Sequence, residues 1–284
     1  MQLSALLDEL SIALAGAGVP PARAEARDLI AIVLDQPRFW PSANGTRELT
    51  AETVAAVRRA AVRLSTGMPM QYATGRVSFR HLTLRVDERV LIPRPETELL
   101  VETALALAGG GGTVVDVGTG SGAVALCLAA EGHFERVIAT DISSDALDVA
   151  RANVDTIPLD RRSVLEFRQG DLLEPLAGER VRAVVSNPPY ISSNEAGELP
   201  ALVRDWEPAI ALFSADDGMA AIRALVRGAP DVLEAGGVLV LEIDTRRAAL
   251  ARECAATDSR LCDVELRMDF TGRERFLVAR RKEL

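Results

Sequence analysis

Thr113-Val114-Val115-Asp116-Val117-Gly118-Thr119-Gly120-Ser121-Gly122 is the stretch on which the fold turns. Thr113, Val114, Val115 and Val117 are β-branched, as a buried strand over Thr113–Val117 requires. Glycines at 118, 120 and 122 then allow a tight turn, and Ser121–Ala130 reads as the following helix. At such a turn the backbone can approach a ligand closely, and a helix N-terminus offers N–H groups.

Outward from this unit the same alternation recurs. Arg136–Thr140 is a second strand and Ser144–Val154 a helix; Val164–Arg168 and Val181–Ser186 read as strands three and four. A helix over Asp216–Leu233 leads to a fifth strand, Gly237–Ile243. Val264–Met268 and Arg275–Ala279, joined through Thr271-Gly272, form a terminal antiparallel hairpin. Alternating strands and helices imply an α/β fold with a mostly parallel sheet covered on both faces. Upstream, the first 75 residues are helical in pattern. Leu3, Leu6, Leu7, Leu10 and Leu14 recur at helical spacing, Pro20-Pro21 opens a helix bearing Ala24, Leu29, Ile30 and Val33, and the Thr50 region starts a third with Val54, Val57, Ala61 and Leu64. Residues 76–93 alternate as a β-hairpin connector, and residues 94–284 form the large domain.

Bulk properties narrow the classes. At 284 residues and 48% hydrophobic, the chain can bury one large core and a small one. A net charge of −9 argues against wrapping nucleic acid through its phosphates, so no direct nucleic-acid partner is expected. Cys127, Cys254 and Cys262 lack metal-binding spacing and only His81 and His133 could join them, so no metal is expected. Met1-Gln2-Leu3-Ser4 carries no basic leader and no apolar run is long enough to span a bilayer, which predicts a cytoplasmic chain without a membrane partner.

The fourth strand ends in Asn187-Pro188-Pro189-Tyr190-Ile191. Neither proline has an N–H to donate, and a residue before proline is driven to extended backbone. The loop therefore presents carbonyls and the Asn187 side chain with few local donors. It suits a ligand that brings its own N–H groups, an amide or an exocyclic amine, with Tyr190 over the planar face. Asp141 ends the second strand, where a carboxylate can accept ribose hydroxyls, and Asp171 with Leu172 follows the third, placed for an adenine. In a parallel sheet all of these share one rim. Gly118-x-Gly120-x-x-Ala123 alone also satisfies a dinucleotide fingerprint, so a dehydrogenase competes on that element. No hydride-chemistry partner such as a His or a Tyr-Lys pair accompanies it.

With these residues in hand, the chain resembles the class I methyltransferases that use S-adenosylmethionine, and more narrowly the bacterial release-factor glutamine N5-methyltransferases (the PrmC/HemK family). Thr74-Gly75, Ile92-Pro93-Arg94-Pro95-Glu96-Thr97-Glu98, the glycine turn, Asn187-Pro188-Pro189-Tyr190-Ile191, Glu207-Pro208, Asp217-Gly218 and Asp269-x-x-Gly272 carry the resemblance. It implies a Rossmann-like seven-stranded methyltransferase domain with a small N-terminal helical bundle, residues 1–75, that docks substrate. It implies S-adenosylmethionine as methyl donor and, as substrate, the glutamine of the Gly-Gly-Gln motif of peptide chain release factors; the chain itself is expected to be a monomer. Gly118, Thr119, Gly120, Ser121 and Gly122 would hold the methionine end, Asp141 the ribose, and Asp171 and Leu172 the adenine. Asn187, Pro188, Pro189 and Tyr190 would hold the glutamine amide, with Asn187, Pro188 and Tyr190 in the catalytic step and Asn187 also at the cofactor. Leu172 stands where some relatives carry an aromatic residue, and Glu242-Ile243-Asp244 with Arg247 departs from a Glu-Ile-Gly…Gln pattern. A ribosomal-protein glutamine, or the N6 of adenine or N2 of guanine, is the alternative acceptor.

Overall fold

The computed structural model describes residues 1–162 and 164–283, so the expected end of the large domain at Leu284 lies outside the described residues. The chain divides into two compact units, Met1–Arg76 with Ala201–Trp206, and Val77–Pro200 with Glu207–Leu284.

The first unit contains α1 (Leu3–Gly16), α2 (Ala22–Val33), α3 (Trp40–Ala43), α4 (Ala51–Ser65) and α5 (Met70–Thr74). The five leucines picked out by spacing on α1 are its buried residues. Thr50 caps α4, its side chain accepting the Thr53 N–H at 3.1 Å. On α2 the buried residues are Ala26, Leu29, Ile30 and Ala31; Ala24 and Val33, expected on that face, lie at its half-buried margin.

The second unit begins with a hairpin, β1 (Arg76–Phe79) and β2 (Leu82–Arg85), then α6 (Pro95–Ala108). Its sheet follows in β3 (Thr113–Val117), β4 (Arg136–Asp141), β5 (Leu165–Gln169), β6 (Val181–Ser186), β7 (Leu233–Glu242), β8 (Leu261–Met268) and β9 (Glu274–Arg281). These seven strands run in the order β5-β4-β3-β6-β7-β9-β8. The first five are parallel; β9 joins β7 and β8 antiparallel, as the expected terminal hairpin. Between strands lie α7 (Ala123–Glu131), α8 (Ser144–Ala152) and α9 (Leu159–Arg162). Short α10 (Ala201–Arg204), grouped with the first unit, precedes α11 (Ala209–Leu212), α12 (Ala220–Val232) and α13 (Ala248–Thr257). No described helix is long and apolar enough to cross a membrane.

The apolar strand runs are two-sided. Val238 and Val240 of β7 join a core with α6, α7 and the hairpin's Phe79, Leu82 and Leu84. Leu239 and Leu241 face the opposite core, built on α12 and α13. Period-two alternation between two buried faces is what a continuous Val/Leu run encodes in a central parallel strand.

Two helices start later than their sequence suggests. Gly118, Gly120 and Gly122 have φ of 72°, 53° and 83°, a left-handed run that postpones α7 from Ser121 to Ala123. Asp216, Asp217 and Gly218 do the same before α12. Helix α13, unassigned from sequence, buries Ala248, Ala251 and Ala255, a pattern of small residues too weakly hydrophobic to stand out.

One buried side chain ties the hairpin to the glycine turn. Asn153, at the end of α8, accepts the Arg85 N–H on Oδ1 at 2.7 Å. Its Nδ2 donates to the carbonyls of Arg85 at 3.0 Å and Ser121 at 2.9 Å. Replacing Asn153 by alanine removes the side-chain partner of three backbone groups, the buried Ser121 carbonyl among them, and urea unfolding should register a loss of about 1–3 kcal/mol. An unchanged midpoint would show that these bonds exchange for water without cost.

Candidate active site

The site follows from a register. Val117 is paired with Ser186 in the parallel β3–β6 pair, and the Ser186 hydroxyl donates to the Val117 carbonyl at 2.6 Å. Strand order reverses at this pair, since β4 and β5 extend from one side and β7 from the other. Gly118 and Asn187 therefore leave adjacent strands side by side, at the kind of switch point where open α/β sheets bind ligands. Asp141 ends β4 on the same rim, paired with Gln169 of β5.

The glycine turn is internally bonded. Gly118 and Thr119 N–H both donate to the Thr140 carbonyl at 2.9 Å, Gly120 N–H to Asp141 Oδ2 at 2.9 Å, and Gly122 N–H to the Thr119 carbonyl at 2.8 Å. The expectation that this turn offers unpaired N–H groups is thus corrected at these four residues. A pyrophosphate needs several such donors, and these four N–H groups are already committed. What the turn offers is access: a Cβ at Gly118 or Gly120 would meet nothing within 4 Å. Gly122 differs, because a Cβ there would meet Ala150 and Leu126 at 3.2 Å. It faces packed helix rather than the ligand position expected for it.

Asp116, 1% exposed, holds the turn against α7: its Oδ2 accepts the Thr119 hydroxyl at 2.6 Å and the Ala125 N–H at 3.1 Å. Desolvation pushes its carboxyl up to about 7 despite those two bonds. Asp141 is also raised by burial, partly offset because its two oxygens accept the backbone N–H groups of Ser143 and Gly120.

A cavity of about 490 Å³ opens on this rim, within the range of small-molecule sites. Of the residues expected from sequence, Gly118, Gly120, Asp141, Asp171, Leu172, Asn187 and Pro189 line it. Thr119 and Ser121 line a smaller cavity of about 50 Å³ that shares Gly118, Gly120 and Asn187 with the first. Gly122, Pro188 and Tyr190 line neither. Pro188 is buried, and the Tyr190 ring packs against the core around β6, β7 and α12. Leu172 takes a left-handed φ of 45° at the cavity wall. Sequence reasoning missed the opposite wall, including Leu91, Phe213, Ser214 and Ala221. These carry no chemical signature and are brought there only by folding.

The loop after β6 is anchored from several sides. Asn187 Nδ2 donates to Thr97 Oγ1 at 3.2 Å, and the Thr97 hydroxyl donates to Glu242 Oε2 at 2.8 Å. Ile191 exchanges backbone bonds with the Leu212–Ser214 segment, at 3.0 and 2.9 Å. Gly218, at φ 85°, passes so close that a Cβ would fall 2.2 Å from the Tyr190 carbonyl oxygen. Arg247, only 6% exposed, donates to the Asp217 carbonyl at 2.7 Å and pairs with Glu195, while Asp244 caps the turn before it. Asp244 and Arg247 therefore brace this loop. Arg94 is bound through one guanidinium nitrogen to both oxygens of Glu207, at 2.6 and 2.7 Å. Burial raises the Glu207 carboxyl and Arg94 pulls it back in part.

This sheet order, with a glycine turn and an acid at consecutive strand ends, defines a class I methyltransferase fold. A solved methyltransferase from Pyrococcus furiosus shares it at a TM-score of 0.53 and 17% identity, covering 83% of this chain and 100% of that one. Residues 95–202 match the methyltransferase small domain, and residues 5–75 match the PrmC N-terminal domain. The release factor glutamine methyltransferase of Moorella thermoacetica is 39% identical over 287 residues, spanning 100% of both chains. That of Deinococcus radiodurans is 38% identical over 284 residues, 99% of each. The chain belongs to the release factor glutamine methyltransferase family.

The raised Asp116 carboxyl makes stability pH-dependent. Between its unfolded value of 3.8 and about 7 the folded chain holds a proton that the unfolded chain has lost. Its contribution is therefore complete below the unfolded value and is lost as pH rises through about 7. Asp116→Asn keeps an oxygen that can accept both bonds, and should flatten the fall in unfolding free energy over this window. An unaltered pH profile would mean that Asp116 titrates normally.

Proposed function

We propose that this protein transfers a methyl group from S-adenosylmethionine to the side-chain amide nitrogen (N5) of the glutamine in the Gly-Gly-Gln motif of peptide chain release factors, in the cytoplasm. The observation that carries this reading is the pairing of Val117 with Ser186, which sets the glycine turn and the Asn187 loop on one cavity.

The residues present fit the methyl donor. The Asp141 oxygens accept backbone N–H groups, among them those of Gly120 and Ser143, and keep acceptor capacity for a ribose hydroxyl. Asp171 and Leu172 supply an acceptor and an apolar surface for adenine, and Gly118–Ser121 let the methionine end approach the backbone. When bound, S-adenosylmethionine supplies an electrophilic methyl on a sulfonium, so that an N–C bond forms as the C–S bond breaks.

An amide nitrogen is a weak nucleophile because its lone pair is delocalised into the carbonyl. Asn187 Oδ1 and the Pro188 carbonyl accept its two hydrogens, which aims the nitrogen and favours the positive charge that grows on it. Pro188 and Pro189 stiffen that acceptor pair. Tyr190, packed against the core behind this loop, backs the acceptor pair, and burial holds its phenol protonated, so it serves as a support and not a base. No dedicated base is needed, because an N-alkylated protonated amide loses its proton readily to water. The N-terminal helical unit, which matches the PrmC N-terminal domain, receives the protein substrate.

Incubation with isotopically labelled S-adenosylmethionine and release factors, then mass mapping, should find one methyl on the Gly-Gly-Gln glutamine. Label on a ribosomal protein or nucleic acid instead would overturn the reading. Asn187→Ala should lower kcat by roughly 10²-fold, as for loss of one catalytic hydrogen-bonding group, and near-normal kcat would remove Asn187 from the mechanism. Asp141→Ala should weaken S-adenosylmethionine binding in calorimetry, and an unchanged Kd would remove it from the ribose.

A further inference from the structure

Asn187 can accept a hydrogen from a substrate amide only if its side-chain oxygen, not its nitrogen, faces the cavity. Nothing in Asn-Pro-Pro-Tyr itself decides between these orientations, which differ by a half-turn of the terminal amide. The deciding contacts come from two distant elements. Thr97, in the first turn of α6, is 5% exposed, and Glu242, at the end of β7, is 1% exposed.

We propose that Thr97 and Glu242 are positioning residues that set the Asn187 amide with its oxygen toward the substrate. The proposal rests on the methyl-transfer reading above and deepens it. A carboxylate only accepts, and a hydroxyl has a single proton. Thr97 Oγ1 lies 2.8 Å from Glu242 Oε2, and its proton is committed to that oxygen. Thr97 Oγ1 then faces Asn187 with lone pairs alone, and only the Asn187 nitrogen satisfies them, at 3.2 Å. A flipped amide would set two acceptors against each other at Thr97 and turn N–H donors toward the incoming N–H groups.

The arrangement is costly for a purely structural contact. Glu242 is a buried carboxylate that accepts its hydrogen bond from this hydroxyl, and a packed apolar side chain would avoid the desolvation. The charged groups around it are Arg275 and Arg94, which favour its ionised form, and Glu96, which opposes it; the Tyr190 phenol also senses its charge. Burial holds Glu242 near 7, so assays at about pH 8 keep it ionised.

The test uses the full chain at that pH with a release-factor substrate. Thr97→Val, nearly the same shape without the hydroxyl, should lower kcat about 10-fold or more while leaving the S-adenosylmethionine Kd within about twofold. Thr97→Ser should recover most of the loss. Glu242→Gln should fall in the same direction, because its amide can donate to Thr97 and free the hydroxyl proton for the Asn187 oxygen. In an Asn187→Ala background, Thr97→Val should cost nothing further, whereas a merely structural contribution would add. Full turnover in Thr97→Val or Glu242→Gln, or additive losses, would overturn the relay. A wild-type chain that leaves release factors unmethylated would instead fail the functional reading. In that case the relay is judged without turnover, by NMR of the Asn187 side-chain amide. One Nδ2 proton should be protected from exchange in the wild type and released in Thr97→Val; equal exchange in both would overturn it.

Discussion

The structure depends on the parallel pairing of β3 with β6, in which Val117 meets Ser186. Adjacent strands lie about 4.8 Å apart, so two loops leaving paired residues emerge within reach of one small molecule. A slip of one residue would turn every side chain of β6 to the wrong core, because both faces of the strand are buried. Ala183 and Val185 belong to one core and Val181 and Val184 to the other, and these residues hold the register that aligns the site. Hydrophobic packing on two faces thereby fixes the geometry of the polar rim.

Around that rim, buried polar groups do work that apolar packing cannot. Asp116 joins the glycine turn to α7, Asn153 joins it to the hairpin, and Arg247 with Gly218 braces the loop beyond Tyr190. Each pairing has a direction, donor to acceptor, and so specifies one orientation where hydrophobic contact would tolerate several. The turn spends its own N–H groups on Thr140 and Asp141, which makes it a rigid floor open to close approach. That is the difference between this glycine turn and one that cradles phosphate.

Much of this was legible in the chain. Strands β3 and β6 fall at their expected bounds, because β-branched runs stopped by glycine or proline leave little latitude. The acids at strand ends could be read as one rim once the sheet was known to be parallel. Helix starts at Ala123 and Ala220 were less legible, since a left-handed run looks in sequence like a helical N-terminus. Arg94 and Glu207 could each be singled out, yet not as partners 113 residues apart. Gly122 shows the opposite failure: a glycine inside a binding motif that serves packing against Ala150.

The amino-acid sequence by itself determined the element types, the parallel sheet, the glycine turn and the amide-gripping loop, because each is set by local sterics or by side-chain periodicity within about ten residues. The order of strands, the cavity wall from Leu91 to Ala221, and the meeting of Thr97 with Asn187 and Glu242 were decided only by tertiary structure. These depend on contacts between residues some 90 to 145 positions apart, and no local preference of the chain reports which distant hydroxyl a buried carboxylate will find.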